Sequence, residues 1–262
     1  MIENRPRVTG PPLPPNAFLR WDRVASLLPR DAADVIEIGC GQGAFAVRLA
    51  HRYRYVGADL DERSVDATRR RLADAGLEGE VILGDPAEEL PDSELFDLVC
   101  AFEVLEHLED DQGALRQWAA RVRPGGMLLV SVPAWQRRYT IWDELAGHFR
   151  RYDMDVLTQR LAEAGLEARS IAYGWPLSYL LEVVRDAVAR RRGVDSAGGS
   201  FQARTEASGR LFHQPRGGLR SAPVQAALVP FALLQRCTTR RGTNLLGIGR
   251  KPYEPAPVNS SM

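Results

Sequence analysis

From Asp34 onward the chain alternates between two hydrophobic periods. Apolar runs of strand length occur at DVIEIG (34–39), YRYVGAD (53–59), EVILGD (80–85), FDLVCAFE (96–103), GMLLVSVP (126–133) and LEARSIAYG (166–174), with a last one at TNLLGIGRK (243–251). Between them, Ala44–Arg52, Glu62–Ala75, Gln112–Val122 and Asp153–Ala164 show the spacing of helices, the last stopped at Gly165. Several of the strands are apolar on both faces, as in a parallel sheet covered by crossover helices. The pattern predicts an α/β fold: a doubly wound, mostly parallel sheet of seven strands.

The flanks read differently. Residues 1–15 form a Pro-rich, flexible leader. Residues 16–28 (NAFLRWDRVASLL) then put Phe18, Trp21, Val24, Leu27 and Leu28 on one helical face behind an Asn16 cap. The core runs over 16–173, and 174–242 is a helical, Arg-rich insert before the last strand (243–251) and a flexible tail (252–262). Inside the insert, Leu177–Arg192 is amphipathic with a basic end. Residues 193–221 are rich in Gly, Ser and Arg, and Ala222–Gln235 is an apolar helix interrupted by Pro230.

Composition narrows the setting. A chain of 262 residues, 45% hydrophobic, can bury one solid core. No apolar stretch approaches the ~20 residues of a membrane span, and MIENRPRVTGPPLPP lacks a signal-peptide core. The three cysteines are scattered, which predicts a reducing cytoplasm. Net charge is zero, so nothing global points to nucleic acid. Lys251 is the only lysine, so arginine counts carry little weight on their own.

Residues 35–45, VIEIGCGQGAF, place an acid, Glu37, ahead of alternate glycines Gly39, Gly41 and Gly43. Small ligands bind beyond the carboxyl ends of the strands in such a sheet, and glycines let the backbone approach them. A dinucleotide turn would show G-x-G-x-x-G with a helix start facing pyrophosphate. Here the spacing is G-x-G-x-G, and Glu37 would repel a diphosphate while suiting a cationic α-amino group. The second strand ends at Asp59, where a carboxylate can accept both hydroxyls of a ribose. Leu60 beside it offers apolar contact to a base, and Asp85 ends the third strand, placed to accept from an adenine amine. S-adenosylmethionine has an amino acid at one end and an adenosine at the other, and it fits all these groups; NAD does not.

The stretches VIEIGCGQG, VGADLD, LGDPAEEL, FDLVCAFEVLEHLED and RPGGMLLVSVP together resemble class I S-adenosylmethionine-dependent methyltransferases of the bacterial E-x-G-x-G-x-G / E-V-L-E-H type. The resemblance runs from about Asp34 to Pro133, with a looser match over 148–166. It implies a Rossmann-like methyltransferase fold, S-adenosyl-L-methionine as cofactor, and cofactor contacts at Glu37, Gly39, Gly41, Gly43, Asp59 and Asp85. The family also uses backbone amides after the Asp85 position. Pro86 has no N–H, so that donor falls to Ala87.

Methyl transfer needs an aligned acceptor and, for a poor nucleophile, a group to take its proton. Glu103, Glu106 and His107 lie just past the fourth strand, at a spacing that one helical turn brings to one side. Three readings stay open. His107 acts as a general base. Alternatively the three residues hold Mg²⁺, as E-V-L-E-H does in certain quinone and RNA 2′-O-methyltransferases that the chain resembles. Otherwise Glu103 shapes the cofactor pocket and His107 packs. His148, the second catalytic candidate, follows the aromatic loop AWQRRYTIWDELAG. There Trp135, Tyr139 and Trp142 would form a ring platform, and Arg150 and Arg151 would meet an anionic group or stay solvated. His51 and His213 receive no role.

The insert carries eleven arginines against four acids. Its apolar residues Leu177, Leu180, Leu181, Val184, Leu228, Phe231 and Leu234 are expected to pack over the open edge of the site, with Arg190, Arg191 and Arg192 at the rim. Segment 177–192 then either caps the site or contacts an anionic acceptor or the inner face of a membrane peripherally. The leading function is O-methylation of a saccharide, glycolipid or secondary-metabolite hydroxyl, so the partner is a small-molecule, glycan or lipid-linked acceptor. The alternatives are C- or N-methylation of a quinone-like or amine molecule, and, from another class, a non-catalytic cofactor-binding protein. Basic residues without aromatic interleaving argue against RNA.

Overall fold

The computed structural model describes residues 10–191 and 221–253. Seven strands form one sheet: β1 (Asp34–Ile38), β2 (Arg54–Asp59), β3 (Glu80–Leu83), β4 (Phe96–Phe102), β5 (Val122–Pro133), β6 (Glu167–Gly174) and β7 (Gly242–Arg250). Their order is β3-β2-β1-β4-β5-β7-β6, and only β7 runs antiparallel to its neighbours. The sheet is therefore doubly wound and mostly parallel, as its apolar runs predict. The order reverses between β1 and β4, which opens a crevice beyond their carboxyl ends.

Alternate residues of the strands feed two cores. Val35, Leu98, Cys100, Phe102 and Leu129 pack on one face with α1 (Pro15–Ala25), α2 (Ala46–Ala50) and α3 (Glu62–Asp74). Ile36, Val99, Ala101, Leu128 and Val130 pack on the other with α5 (Asp111–Ala120) and α7 (Met154–Glu163). All five residues of β1 are buried, so a polar side chain on this strand must find a partner inside the protein.

Some local expectations are corrected. Asn16 does not cap α1: the helix opens on Pro15, whose fixed φ and missing N–H suit a first helical position, and no side chain caps the end. Two helices also fall in stretches read as loop. The short α4 (Pro86–Glu89) follows Asp85, and α6 (Ile141–Ala146) lies inside the aromatic loop. A reciprocal capping box between Thr140 and Asp143 starts α6, and Gly147 ends it in the left-handed region.

The insert contributes α8 (Leu177–Arg191) and α9 (Ser221–Gln235). Only part of the expected apolar stripe packs inward: Leu228 of α9 is buried. Leu180, Val184 and Leu234 face solvent, while Ser178, Glu182 and Gln235 are buried. The reason lies beneath α8, where two guanidinium groups need a carboxylate and Glu182 supplies it. Arg192 and residues 193–220 lie outside the described residues, as do the side chains of Arg190 and Arg191.

Candidate active site

The glycine turn sits beyond β1, hung on its neighbour β2. The N–H groups of Gly39 and Cys40 both donate to the Ala58 carbonyl, at 2.8 and 3.0 Å. Gly39 has φ +69°, and a Cβ there would run into Val104, so the turn passes too close to the residue after Glu103 for any side chain. At Gly41, by contrast, a Cβ would meet nothing within 4 Å. That open side is where a ligand can approach the backbone.

Asp59 ends β2 beside this opening. Its Oδ2 accepts from the Gly41 N–H at 2.8 Å and its Oδ1 from the Asp61 N–H at 2.9 Å. Each oxygen keeps acceptor capacity for one further donor. Burial raises its pKa against these hydrogen bonds. Leu60 next to it is 76% exposed, a large aliphatic side chain with nothing over it beside a carboxylate. Asp85 is also exposed, but its Oδ1 accepts from the Ala87 N–H at 2.8 Å and so caps α4. The Ala87 amide expected to serve adenine is thus already engaged by Asp85 itself.

Glu37 lies beneath the turn, 4% exposed, with the Tyr55 hydroxyl donating to its Oε2 at 2.8 Å. Burial pushes its pKa up to about 8, and the Tyr55 hydrogen bond only partly offsets this. Glu103 follows β4 with φ +58°, a strained value for a residue with a side chain. Its carboxylate pairs with Arg20 of α1 at 3.2 Å and accepts from Ser131 of β5 at 2.9 Å. Arg20 also donates to the Tyr173 hydroxyl at 3.1 Å, so α1, β4, β5 and β6 meet at this carboxylate.

One turn further, Leu105–His107 form a short 3₁₀ turn. It groups Glu106 and His107 with His148, leaving Glu103 outside the cluster. One carboxylate oxygen and one ring nitrogen from each histidine lie within 4.8 Å of one another. The two imidazoles meet edge to face, with centroids 4.8 Å apart. Glu106 is fully buried and neither of its side-chain oxygens has a hydrogen-bond partner. Burial first, and Glu103 second, push it well above the ordinary carboxylate range.

The ring nitrogens are oriented. His107 Nδ1 faces the Gly147 carbonyl at 3.0 Å, so it carries the proton and the lone pair falls on Nε2. Burial, and then His148, lower the pKa of His107 to about 4, which keeps it neutral at pH 7. His148 Nδ1 lies 2.9 Å from Asp143 Oδ1. Burial alone would raise Asp143, but hydrogen bonds from His148 and Arg151 win and hold it at about 2. Arg151 in turn bonds Asp143 at 2.8 Å and Glu182 of α8 at 2.5 Å, and Arg138 closes the far side of Glu182.

This network corrects the expected acceptor groove. Arg151 is engaged inside the protein, and Arg150 bonds Asp111 at 3.0 Å and the Leu108 carbonyl at 3.1 Å. Trp135 donates to the Gly242 carbonyl and Tyr139 to the His148 carbonyl, while Arg185 lies over the Trp142 ring. These side chains hold the loop that carries His148. His51 is exposed, and His213 lies outside the described residues. Arg20, Tyr55, Ser131, Asp143 and Glu182 carry no motif of their own, and only the T-x-x-D box at Thr140 was a readable signal.

Three comparisons bear on this arrangement. The family described as "Methyltransferase domain" matches residues 16–171. The 27-O-demethylrifamycin SV methyltransferase of Amycolatopsis mediterranei is 33% identical over 162 residues, 57% of this chain and 60% of its own length. A ubiquinone biosynthesis O-methyltransferase of Stutzerimonas stutzeri is 37% identical over 101 residues, 37% of this chain and 43% of its own. The chain thus spans at most about three-fifths of these relatives. Among solved structures, the crystallised cyclase SpnF superposes with a TM-score of 0.58 at 18% identity, over 89% of this chain and 81% of that one. At that identity the likeness concerns the fold alone.

Proposed function

Since this chain belongs to the class I S-adenosylmethionine-dependent methyltransferase family, we propose that it methylates a hydroxyl oxygen of a small organic acceptor, in the saccharide, glycolipid or secondary-metabolite class. The observation that carries this reading is the cluster of Glu106, His107 and His148 beyond β4, in the segment whose Val104 abuts Gly39 of the glycine turn. A hydroxyl is a poor nucleophile and must lose its proton as it attacks, so it needs such a cluster where an amine would not. Both relatives are O-methyltransferases by name or by the position they methylate, which agrees with an oxygen acceptor.

The cofactor, when bound, supplies a sulfonium methyl already activated for in-line displacement. The chain's part is to hold and align. Asp59 would accept from the ribose hydroxyls, Leu60 would cover the adenine, Asp85 would accept from its amine, and Glu37 would meet the α-amino group. An acceptor hydroxyl held in line with that methyl would give up its proton to the chain as the methyl is transferred. Its proton passes to His107, whose neutral Nε2 carries the lone pair.

A second reading rests on Glu106. A buried carboxylate with neither oxygen hydrogen-bonded is suited to ligate a cation. Glu106, His107 and His148 would hold a divalent ion that polarises the acceptor hydroxyl. Two imidazoles and one carboxylate suit Mn²⁺ better than the all-oxygen preference of Mg²⁺.

The test is transfer of labelled methyl from the cofactor to fractionated extracts, followed by mass spectrometry of the product. Label in an ether linkage of a small molecule is expected. Label on nitrogen, carbon or RNA would overturn the oxygen-acceptor reading.

Glu37 provides a separate prediction. Its folded pKa of about 8 lies above the unfolded value of 4.5. The native state therefore keeps a proton that the unfolded chain has released, and stability falls as pH rises from 4.5 to about 8. An ammonium group placed beside it favours the ionised form, so cofactor binding at pH 7 should expel roughly one proton. Calorimetry in buffers of different ionisation enthalpy measures this, and the release should vanish in Glu37→Gln. Equal heats in all buffers for the parent protein would place the amino group elsewhere.

A further inference from the structure

Of the two insert helices, α8 is built inside out, while α9 is apolar on both sides, with Leu228 and Ala232 buried beneath it. In α8 the inward arc carries Ser178, Glu182, Arg185 and Asp186, while Leu180, Val183 and Val184 are 61, 62 and 53% exposed. In α9, Gln225 donates inward to the Leu13 carbonyl at 2.7 Å, and Gln235 donates to the Leu19 carbonyl at 3.0 Å. Val224, Val229, Leu233 and Leu234 point outward, and Ser221–Gln235 contains no charged residue at all. A surface helix facing water turns polar residues outward.

The two helices share an anchor. Gly174 at the end of β6 donates to Gln235 of α9, and Thr243 at the start of β7 donates to Ser178 of α8. Among the described side chains of α8 and α9, the large exposed residues are all valine or leucine, with no aromatic and no methionine. Protein interfaces concentrate aromatic residues, methionine and arginine at their cores. Arg240 and Arg241, both exposed, follow α9 in the loop to β7. No described helix is long and apolar enough to cross a membrane.

We propose that the outward faces of α8 and α9 dock on an anionic lipid bilayer, with both helices lying in the interface and Arg240 and Arg241 meeting the headgroup phosphates. Aliphatic side chains suit the acyl boundary, and exposed Arg240 and Arg241, beside a helix without charged residues, supply two cations next to it. This inference stands apart from the reaction assigned above, since none of these residues belongs to the site.

Co-sedimentation of the full chain with vesicles tests it. Binding is expected to phosphatidylcholine vesicles containing about one-third phosphatidylglycerol, weakening with salt, and far less to phosphatidylcholine alone. Val183→Glu with Leu233→Glu should lower the partition coefficient at least about tenfold. Both positions face outward, so the melting temperature should hold. Arg240→Gln with Arg241→Gln should remove the preference for anionic vesicles and serves as a second variant that leaves the apolar face intact. Sedimentation velocity covers the other occupant. A dimer that Val183→Glu with Leu233→Glu dissociates, without vesicle binding by the parent, would assign the face to a second copy and overturn the proposal. A monomer that ignores anionic vesicles would overturn it as well.

Discussion

His107→Ala is expected to lower kcat by about a hundred- to ten-thousandfold, the usual weight of a positioned proton acceptor, while cofactor affinity stays unchanged. The split follows from geometry. His107 lies past β4 with its Nδ1 on the Gly147 carbonyl and its ring against His148. The expected cofactor contacts sit on β1, β2 and the β3–α4 turn instead. Its pKa of about 4 leaves the ring neutral at pH 7. Either role for the cluster predicts the loss, and a chelator separates them. If EDTA abolishes turnover and Mn²⁺ or Mg²⁺ restores it, the cluster with Glu106 holds an ion. If EDTA leaves the rate alone, His107 is the base. A kcat within tenfold of the parent in His107→Ala, with no effect of EDTA, would make the cluster structural and remove the chemical basis of the oxygen-acceptor reading.

Asp59→Ala should weaken S-adenosylmethionine binding by about 2–3 kcal/mol, roughly 30- to 150-fold, because two neutral hydroxyls lose a charged acceptor. The carboxylate also fixes the turn through the Gly41 N–H, so part of the loss comes from a looser binding surface. Asp59→Asn separates the parts: its amide oxygen can keep the Gly41 contact but offers one acceptor instead of two and no charge. It should fall between the parent and Asp59→Ala. Melting temperatures of the ligand-free proteins check that the turn, and not the whole sheet, has changed. Unaltered affinity in Asp59→Ala would mean that the ribose lies elsewhere.

Particular residues show why some of this was legible along the chain and some was not. The sheet was legible because both its faces are covered, so β1, β4 and β5 read as apolar runs whatever their partners. The glycine turn could be read because Glu37, Gly39, Gly41 and Gly43 lie within seven residues, and Asp59 because it closes the next strand. The insert helices mark the limit. Their periodicity announced an apolar stripe, but the side that faces the protein depends on what lies beneath. Beneath α8 lie Arg138 and Arg151, and Glu182 on α8 neutralises both. No spacing within 174–242 reveals partners some thirty to forty positions upstream. Arg150 and Arg151 failed as acceptor contacts for the same reason, since their carboxylates come from Asp111, Asp143 and Glu182. Glu103 was expected beside Glu106 on a regular helical turn. Its left-handed backbone instead sends the carboxylate to Arg20 and Ser131, and His148 takes its place in the cluster.

The claim on which the rest depends is that the turn at Gly39–Gly43, with Asp59 beside it, holds S-adenosylmethionine. Titration calorimetry of the full chain with S-adenosylmethionine, S-adenosylhomocysteine and NAD tests it most directly. The account predicts one saturable site for the first two, each displacing the other, and no measurable heat from NAD. Saturable NAD binding that the adenosyl compounds do not displace, or a folded protein that binds neither of them, would contradict it.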